Sequence, residues 1–188
     1  METDKIACVA DVDDLWHPSQ IEQWLVPIKE AVPDFRVTAY AIPNRLGPVH
    51  QLKEKYPWVT FAQHGWEHPH FECCTWTYED AEKYLRLARE MGYAPLFKAP
   101  NWVTDVELEQ ACKEAGVVLH HHHQNYLPVT AGLRCYPGLD PSTLKRHVNI
   151  HTHIVRGLYT DFIEDVHTFM PENLKEYSEF LTPLEVIA

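Results

Sequence analysis

Short apolar runs alternate with amphipathic stretches along almost the whole chain. Residues 5–11 (Lys-Ile-Ala-Cys-Val-Ala-Asp) are an apolar run closed by an acid, which predicts a buried strand. Pro18 and Ser19 open a stretch with Ile21, Trp24, Leu25 and Ile28 at helical spacing, and Pro33 stops it. Residues 35–42 predict a second strand ended by Pro43-Asn44, and residues 48–55 a short helix. A third strand, 58–62, runs straight into Gln63-His64-Gly65. Residues 78–91 are the clearest helix, with Ala81, Tyr84, Leu85 and Ala88 on one face and Gly92 as its cap. A fourth strand spans 95–98 before Pro100. Thr104, with Glu107 three residues on, reads as a capping box opening a helix that runs to Gly116. Residues 117–121 predict a fifth strand, 144–146 the end of a short helix, 147–153 a sixth strand, 160–169 a last helix and 180–187 a closing strand.

This alternation predicts β/α units around a parallel sheet or barrel. The chain has 188 residues, 45% of them hydrophobic, enough for a single catalytic domain over 1–188 with one substantial core. The net charge of −11 argues against nucleic acid and anionic membranes as partners, since both reward Lys and Arg. The first residues lack the basic start and apolar run of a signal peptide, and no stretch is apolar enough to span a bilayer, so a cytoplasmic location is the expectation. An odd count of five cysteines, with one adjacent pair (Cys73-Cys74), fits reduced thiols. Homo-oligomerisation is left open.

The chemistry-bearing residues change the picture, because they fall where strands end. Asp11, Asp13 and Asp14 close the first predicted strand, and His64 and His68 follow the third. Lys98 and Pro100 close the fourth, the run His120–His123 the fifth, and His151 and His153 the sixth. In parallel α/β architectures the C-terminal strand ends form one rim, where active sites are built. His64-Gly-Trp-Glu-His68 is an H-x-x-x-H pair; on one helical turn both imidazoles would point the same way and grip one ion. Two imidazoles and one carboxylate make a catalytic metal site with open positions, and the strand-one acids supply the carboxylate. The residues alone do not choose which acid. Three carboxylates so close would raise one another's pKa without a cation.

The motifs together resemble the polysaccharide deacetylases, carbohydrate esterase family four and its distant relatives. Val9-Ala-Asp-Val-Asp-Asp-Leu15 resembles their first motif, a strand ending in Asp-Asp. His64-Gly-Trp-Glu-His68 is similar to the second, Phe97-Lys-Ala-Pro-Asn-Trp102 to the third, and Asn149-Ile-His-Thr-His153 to the last. The resemblance covers about residues 5–155. It implies a distorted (β/α) barrel of about seven parallel strands, with Asp14, His64 and His68 as metal ligands. It implies Asp13 as general base and His153 or His151 as general acid, with Lys98 standing where the family carries Arg. One divalent ion is implied, zinc first, with Ni²⁺, Co²⁺ or Fe²⁺ as alternatives; it would polarise an acetamide carbonyl and lower the pKa of its bound water. The substrate implied is an N-acetylated small molecule or oligosaccharide. Trp66, Trp102 and Pro100 flank the motifs and are candidates for substrate contact, with core packing as the alternative for the two Trp. Lys98 keeps the charge of the family's Arg but loses its bidentate fork. Leu15 replaces the usual Gly, and the His run stands where the family's fourth motif is expected. Glu72 reads as exposed, with support of the ligand loop as its alternative; His17 and His50 read as surface residues, and one of His120–His123 as contributing to the site.

Three other readings compete. Asp11-Val-Asp13 also resembles the haloacid dehalogenase-type phosphatases, with Asp161–Asp165 as the late acidic motif, Lys98 as the lysine and Mg²⁺ as the cofactor. A different metal amidohydrolase could use His151-x-His153 as its ligand pair, since alternate strand residues share a face. A non-catalytic carbohydrate-binding relative is the third.

Overall fold

The computed structural model describes residues 7–121, 130–137, 147–154 and 170–188. Eight strands are found among them: β1 (Ala7–Leu15), β2 (Val37–Ala41), β3 (Val59–His64), β4 (Leu96–Lys98), β5 (Val118–His121), β6 (Cys135–Pro137), β7 (His147–His153) and β8 (Glu179–Leu181). All their pairings are parallel. The order across the sheet is β6-β5-β4-β3-β2-β1-β7. β7 takes one edge of β1 from Ala7 to Asp13, so β8 and β2 share the other edge, β8 at the start of β1 and β2 at its end.

The sheet is curled into a barrel-like shell, as its interior shows. Val9, Tyr40, Ala62, Leu96, Val118 and Tyr136 come from six successive strands, yet they pack into one cluster. The edges also meet, because the Tyr136 hydroxyl on β6 donates to Asn149 on β7. Residues of opposite parity, such as Cys8, Ala10, Val12, Ala39 and Phe61, face outward into a second apolar layer. That layer holds Ile21, Leu25 and Ile28, from one π-type turn (Ile21–Leu25) and α1 (Val26–Ala31), which is the helical stripe expected there. Two very short helices, α2 (Pro43–Leu46) and α3 (His50–Lys55), follow β2. Helices α4 (Tyr78–Glu90) and α5 (Val106–Ala115) pack together over Phe97 and Leu119. The chain closes with α6 (Pro171–Leu174) and α7 (Pro183–Val186).

The predicted α/β barrel and its strand order along the chain are therefore observed, with four differences. β1 does not stop at Asp11 but runs to Leu15, so the acids lie within the strand. β6 was not expected; it is three residues long and ends in a proline, too short to carry a pattern. The predicted strand 180–187 is a three-residue strand followed by α7, because Thr182 and Glu185 form a reciprocal capping box and Pro183 opens the helix. The cap of α5 is Asp105, not Thr104: the Asp105 carboxylate accepts from the backbone N–H of Leu108, while Thr104 Oγ1 has no hydrogen-bond partner. The helical segments expected at 144–146 and 160–169 lie outside the described residues, as do His122 and His123. No described helix is long and apolar enough to cross a membrane.

The cap assignment is testable by substitution. Asp105→Ala is expected to lower stability by about 1 kcal/mol, whereas Thr104→Ala is expected to change it by only a few tenths (roughly), as for a side chain outside any cap. Urea denaturation of both variants checks this; the reverse ranking would return the cap to Thr104.

Candidate metal centre and active site

Parity along each strand builds the site. Above the apolar interior cluster, the next inward residue is Asp11 on β1, His64 on β3, Lys98 on β4, His120 on β5 and His151 on β7, and the one after is Asp13 or His153. Register aligns them. His64 lies beside Lys98, Lys98 beside His120 and His120 beside Tyr136. Asp11 lies beside His151 and Asp13 beside His153.

The centre of this layer is Lys98, which has no exposed surface. Its ammonium donates to Asp11 Oδ1 and to Asp13 Oδ1, the latter at 2.9 Å. The rings of Tyr40 and Trp102 cover it, with centroids 4.1 and 4.6 Å from Nζ. Burial works to raise the pKa of Asp11, but the charges of Lys98 and His151 outweigh it and hold the carboxyl far below the usual range. His120 is a neutral imidazole, because burial and then the Lys98 charge push its pKa well down, and its Nδ1 lies 2.5 Å from the Tyr40 hydroxyl. Burial in turn raises the Tyr40 phenol.

Asp14 breaks the strand's alternation. The pairing of β1 with β2 shifts between Val12 and Leu15, and Asp14 has φ of 64°. A bulge of this kind re-aims a side chain, and Asp tolerates the left-handed region better than most residues. As a result two consecutive carboxylates face one imidazole: Asp13 Oδ2 and Asp14 Oδ1 are each 3.8 Å from His64 Nε2.

His64 and His68 converge, but not on a helix as the spacing suggested. His64 ends β3, and His68 sits in a loop with φ of 69°. Gly65 turns the chain at φ of 60°, and a Cβ there would run into the Glu72 carboxylate and come within 2.8 Å of the Pro100 ring. Glu72 is buried, not exposed, and accepts from the backbone N–H groups of Trp66, Glu67 and His68 at 2.9, 2.8 and 3.1 Å. This clamp sets the loop so that His68 Nε2 lies 3.1 Å from His64 Nε2 and 3.0 Å from Asp14 Oδ1.

The donor set fits a divalent ion. Bonds of about 2.0–2.1 Å in tetrahedral array place two ligand atoms about 3.3 Å apart. The three separations among Asp14, His64 and His68 (3.0, 3.1 and 3.8 Å) bracket that value. His64 donates its Nδ1–H to the carbonyl of Lys98 at 2.8 Å, which leaves Nε2 with its lone pair. Burial lowers the His64 pKa, favouring the neutral ligand form. His68 is the opposite: burial pulls it down, but the hydrogen bond and charge of Asp14 outweigh that and raise it.

The remaining expected residues divide. His151 and His153 face the same interior: His151 donates Nδ1–H to Asp11 at 2.7 Å, and His153 donates Nδ1–H to Asp14 Oδ2 at 3.0 Å. Trp102, also at positive φ, has its ring 5.6 Å from those of His120 and His151. Trp66 does not join them; its ring stacks on Tyr84 at 4.9 Å and packs with the α4/α5 layer. Pro100 is buried against Gly65, where it shapes the ligand loop. His17 and His50 are exposed. Asp11, the nucleophile of the phosphatase reading, is buried and tied to Lys98 and His151, and the Asp161–Asp165 motif lies outside the described residues. Tyr40 was missed; a lone phenol at an inward position of a strand otherwise made of Val, Thr and Ala was the signal available.

No protein-family model matches the chain, and no curated protein matches it by sequence. Solved structures do share its fold. The CE4 domain of a multidomain xylanase from the hindgut metagenome of Trinervitermes trinervoides superposes with TM-score 0.60 at 11% identity, covering 97% of this chain and 89% of that one. A family 4 acetyl xylan esterase from Clostridium thermocellum, solved with a cobalt ion, gives TM-score 0.59 at 15% identity, with 96% and 89% covered. A peptidoglycan N-acetylglucosamine deacetylase gives 0.58 at 13%, with 98% and 89% covered. A CE4 family pseudoenzyme mutant has the same fold as well. At such identities these likenesses establish a shared fold.

Two outcomes follow from the electrostatics. Lys98→Met leaves two buried carboxylates without their cation and is expected to cost about 3–5 kcal/mol at neutral pH. The deficit should shrink in acid, because burial alone raises a carboxyl pKa and Asp11 then takes up a proton. In the wild type the depressed Asp11 contributes stability above its unfolded pKa of about 3.8 and loses it only as pH falls further. Urea titrations of both proteins across pH 4–8 check this. Separately, the raised His68 pKa means that a proton must leave as an ion enters, so zinc affinity should increase with pH until His68 has lost its proton. Competition with a chromophoric chelator measures it, and a flat profile would contradict the ligand role of His68.

Proposed function

We propose that this chain is a divalent-metal-dependent hydrolase that removes an acetyl group from an N-acetylated sugar or a related amide. The observation that carries the reading is the convergence of Asp14 Oδ1, His64 Nε2 and His68 Nε2 beside a second carboxylate, Asp13, that is held by a buried lysine. The shared fold with carbohydrate esterases and a deacetylase supports it.

Asp14, His64 and His68 would hold the ion, with zinc the first choice for two imidazoles and a carboxylate. When bound, such an ion supplies Lewis-acid polarisation of the acyl carbonyl and a water acidic enough to attack it. The rest falls to the chain. Lys98 fixes one oxygen of Asp13 and leaves Oδ2 free to take the attacking water's proton. His151 and His153 stand on the far side of Asp13, with His151 Nε2 3.6 Å from Asp13 Oδ2. This pair would return a proton to the leaving nitrogen, so that acetate and a free amine depart. Asp11 orients His151 through Nδ1 and is a positioning residue.

Substrate would approach through a cleft of about 460 Å³ that begins at Asp14 and His68 and is walled by Trp16, Arg45 and His70. The volume suits a single sugar ring or two. The Arg45 guanidinium lies over the Trp16 ring at 5.8 Å, which builds a flat wall with hydrogen-bond donors, suited to a polyhydroxylated ligand.

The purified protein should retain one tightly held equivalent of transition metal by elemental analysis, and Asp14→Ala or His68→Ala should lose it. Asp13→Asn should keep the metal yet lose about 10²–10⁴-fold in turnover, the usual contribution of a general base. Acetate release from N-acetylated sugars is the assay. Metal retention in a His64/His68 double variant would sink the site. Phosphate release dependent on Asp11 and Mg²⁺ would favour the phosphatase reading, and sugar binding without any release would favour a non-catalytic relative.

A further inference from the structure

Asp14, His64 and His68 occupy one side of the interior. On the other side stand three more ligand atoms, Asp13 Oδ2, His151 Nε2 and His153 Nε2, all within 4.8 Å of one another. Each is the free end of a group whose other end is tied. Asp13 Oδ1 accepts from Lys98, His151 Nδ1–H donates to Asp11, and His153 Nδ1–H donates to Asp14. With both Nδ1 atoms donating, each imidazole in its neutral form carries its lone pair at Nε2. Those two nitrogens are only 3.3 Å apart, and the Asp13 oxygen is 3.6 Å from one of them. Three electron-rich atoms at that spacing repel unless a proton or a cation lies between them. The separations match the ~3.3 Å expected around a tetrahedral ion with bonds of about 2.0–2.1 Å. A carboxylate behind a ligating imidazole, as Asp11 stands behind His151, is also the usual outer partner of a metal-bound histidine.

We propose that Asp13, His151 and His153 form a second and weaker site for a divalent transition-metal ion, zinc by preference, and that its filling suppresses hydrolysis by occupying the base and the acid pair. The inhibitory part rests on the hydrolase reading above; the binding part does not. Charge sets the order of filling. Set against the one ammonium of Lys98, which pairs with Asp11 and Asp13, the three carboxylates of Asp11, Asp13 and Asp14 leave a net of two negative charges when ionised, which one divalent ion neutralises. A second ion enters a neutral pocket with Lys98 bonded to one of its ligands, so it binds less tightly than the first. Two imidazoles and one carboxylate favour zinc over magnesium or calcium.

The test is equilibrium dialysis of the full chain, stripped by chelator, against buffered free zinc, with bound metal read by atomic emission. The wild type is expected to take up two equivalents in two separated steps. Asp13→Asn and His151→Asn should each stop at one, and His64→Asn should lose the tighter step. Circular dichroism and thermal melts of each variant establish that the folded protein is being titrated, and having two independent variants guards against one that does not fold. Saturation of the wild type at one equivalent overturns the second site while leaving the hydrolase reading intact; binding of none overturns both. A second equivalent that survives in Asp13→Asn and His151→Asn belongs to other histidines and overturns the assignment. Acetate release by the wild type should fall over the zinc range that fills the weaker step. Unchanged or rising turnover there overturns the inhibitory role.

Discussion

The buried ammonium of Lys98 is the interaction on which the site depends. Placing one lysine and two aspartates inside an apolar shell is costly unless charges are paired and hydrogen bonds satisfied. Here the pairing is met from β1 across the barrel interior, by Asp11 and Asp13 together, with Tyr40 and Trp102 laid over the cation. Lys98 is what pairs two buried carboxylates at positions i and i+2 on one face of one strand. It also divides their roles. Asp11 has its charge shared between Lys98 and His151 and faces no opening, whereas Asp13 keeps an oxygen free toward His64 and His151.

Around that pair, the rim is built from backbone that departs from the ordinary regions. Asp14, His68, Phe71, Asn101 and Trp102 all have positive φ, and all belong to the bulge or to the two loops that border the ligands. Such conformations cost energy and persist where surrounding contacts over-determine them. The over-determining contacts are visible. Glu72 takes three consecutive N–H groups of the ligand loop, and Gly65 presses against both Glu72 and Pro100, so the loops after β3 and β4 are locked to each other. The imidazole of His68 is therefore positioned by a carboxylate that touches neither the proposed ion nor a substrate.

Much of this was legible from residue order. The strands that matter are short, but each has a clear parity once its buried face is known. Asp11 and Asp13, His64, Lys98 and His120 fall two or four residues after an inward apolar residue of their strand, whereas His151 and His153 follow the polar Asn149 on the inward face of β7. The closing strand expected over 180–187 is interrupted by the Thr182-x-x-Glu185 capping box, a signal that residue order also contains. Thr104 and Asp105 are both good caps. Choosing between them needs the direction of the chain entering α5, which local composition does not carry. The H-x-x-x-H spacing pointed to two histidines that do converge, but from a strand end and a loop and not from a helical turn, since helical spacing and a tight loop after a strand both bring residues four apart into contact.

The sequence by itself determined that this is a parallel α/β protein, that its ionisable residues gather at one end of the strands, and that His64 and His68 join a carboxylate from the first strand. Those conclusions rest on periodicity and covalent spacing, which residue order contains. Only the tertiary structure decided that Asp14 shares a face with Asp13, because that requires a bulge. It decided that Glu72 is buried under the ligand loop, that Trp66 packs while Trp102 covers the lysine, and that Asp11 stands behind His151. Each of these depends on which distant strand or loop supplies the neighbour, and closure of the sheet around Lys98 sets those neighbours.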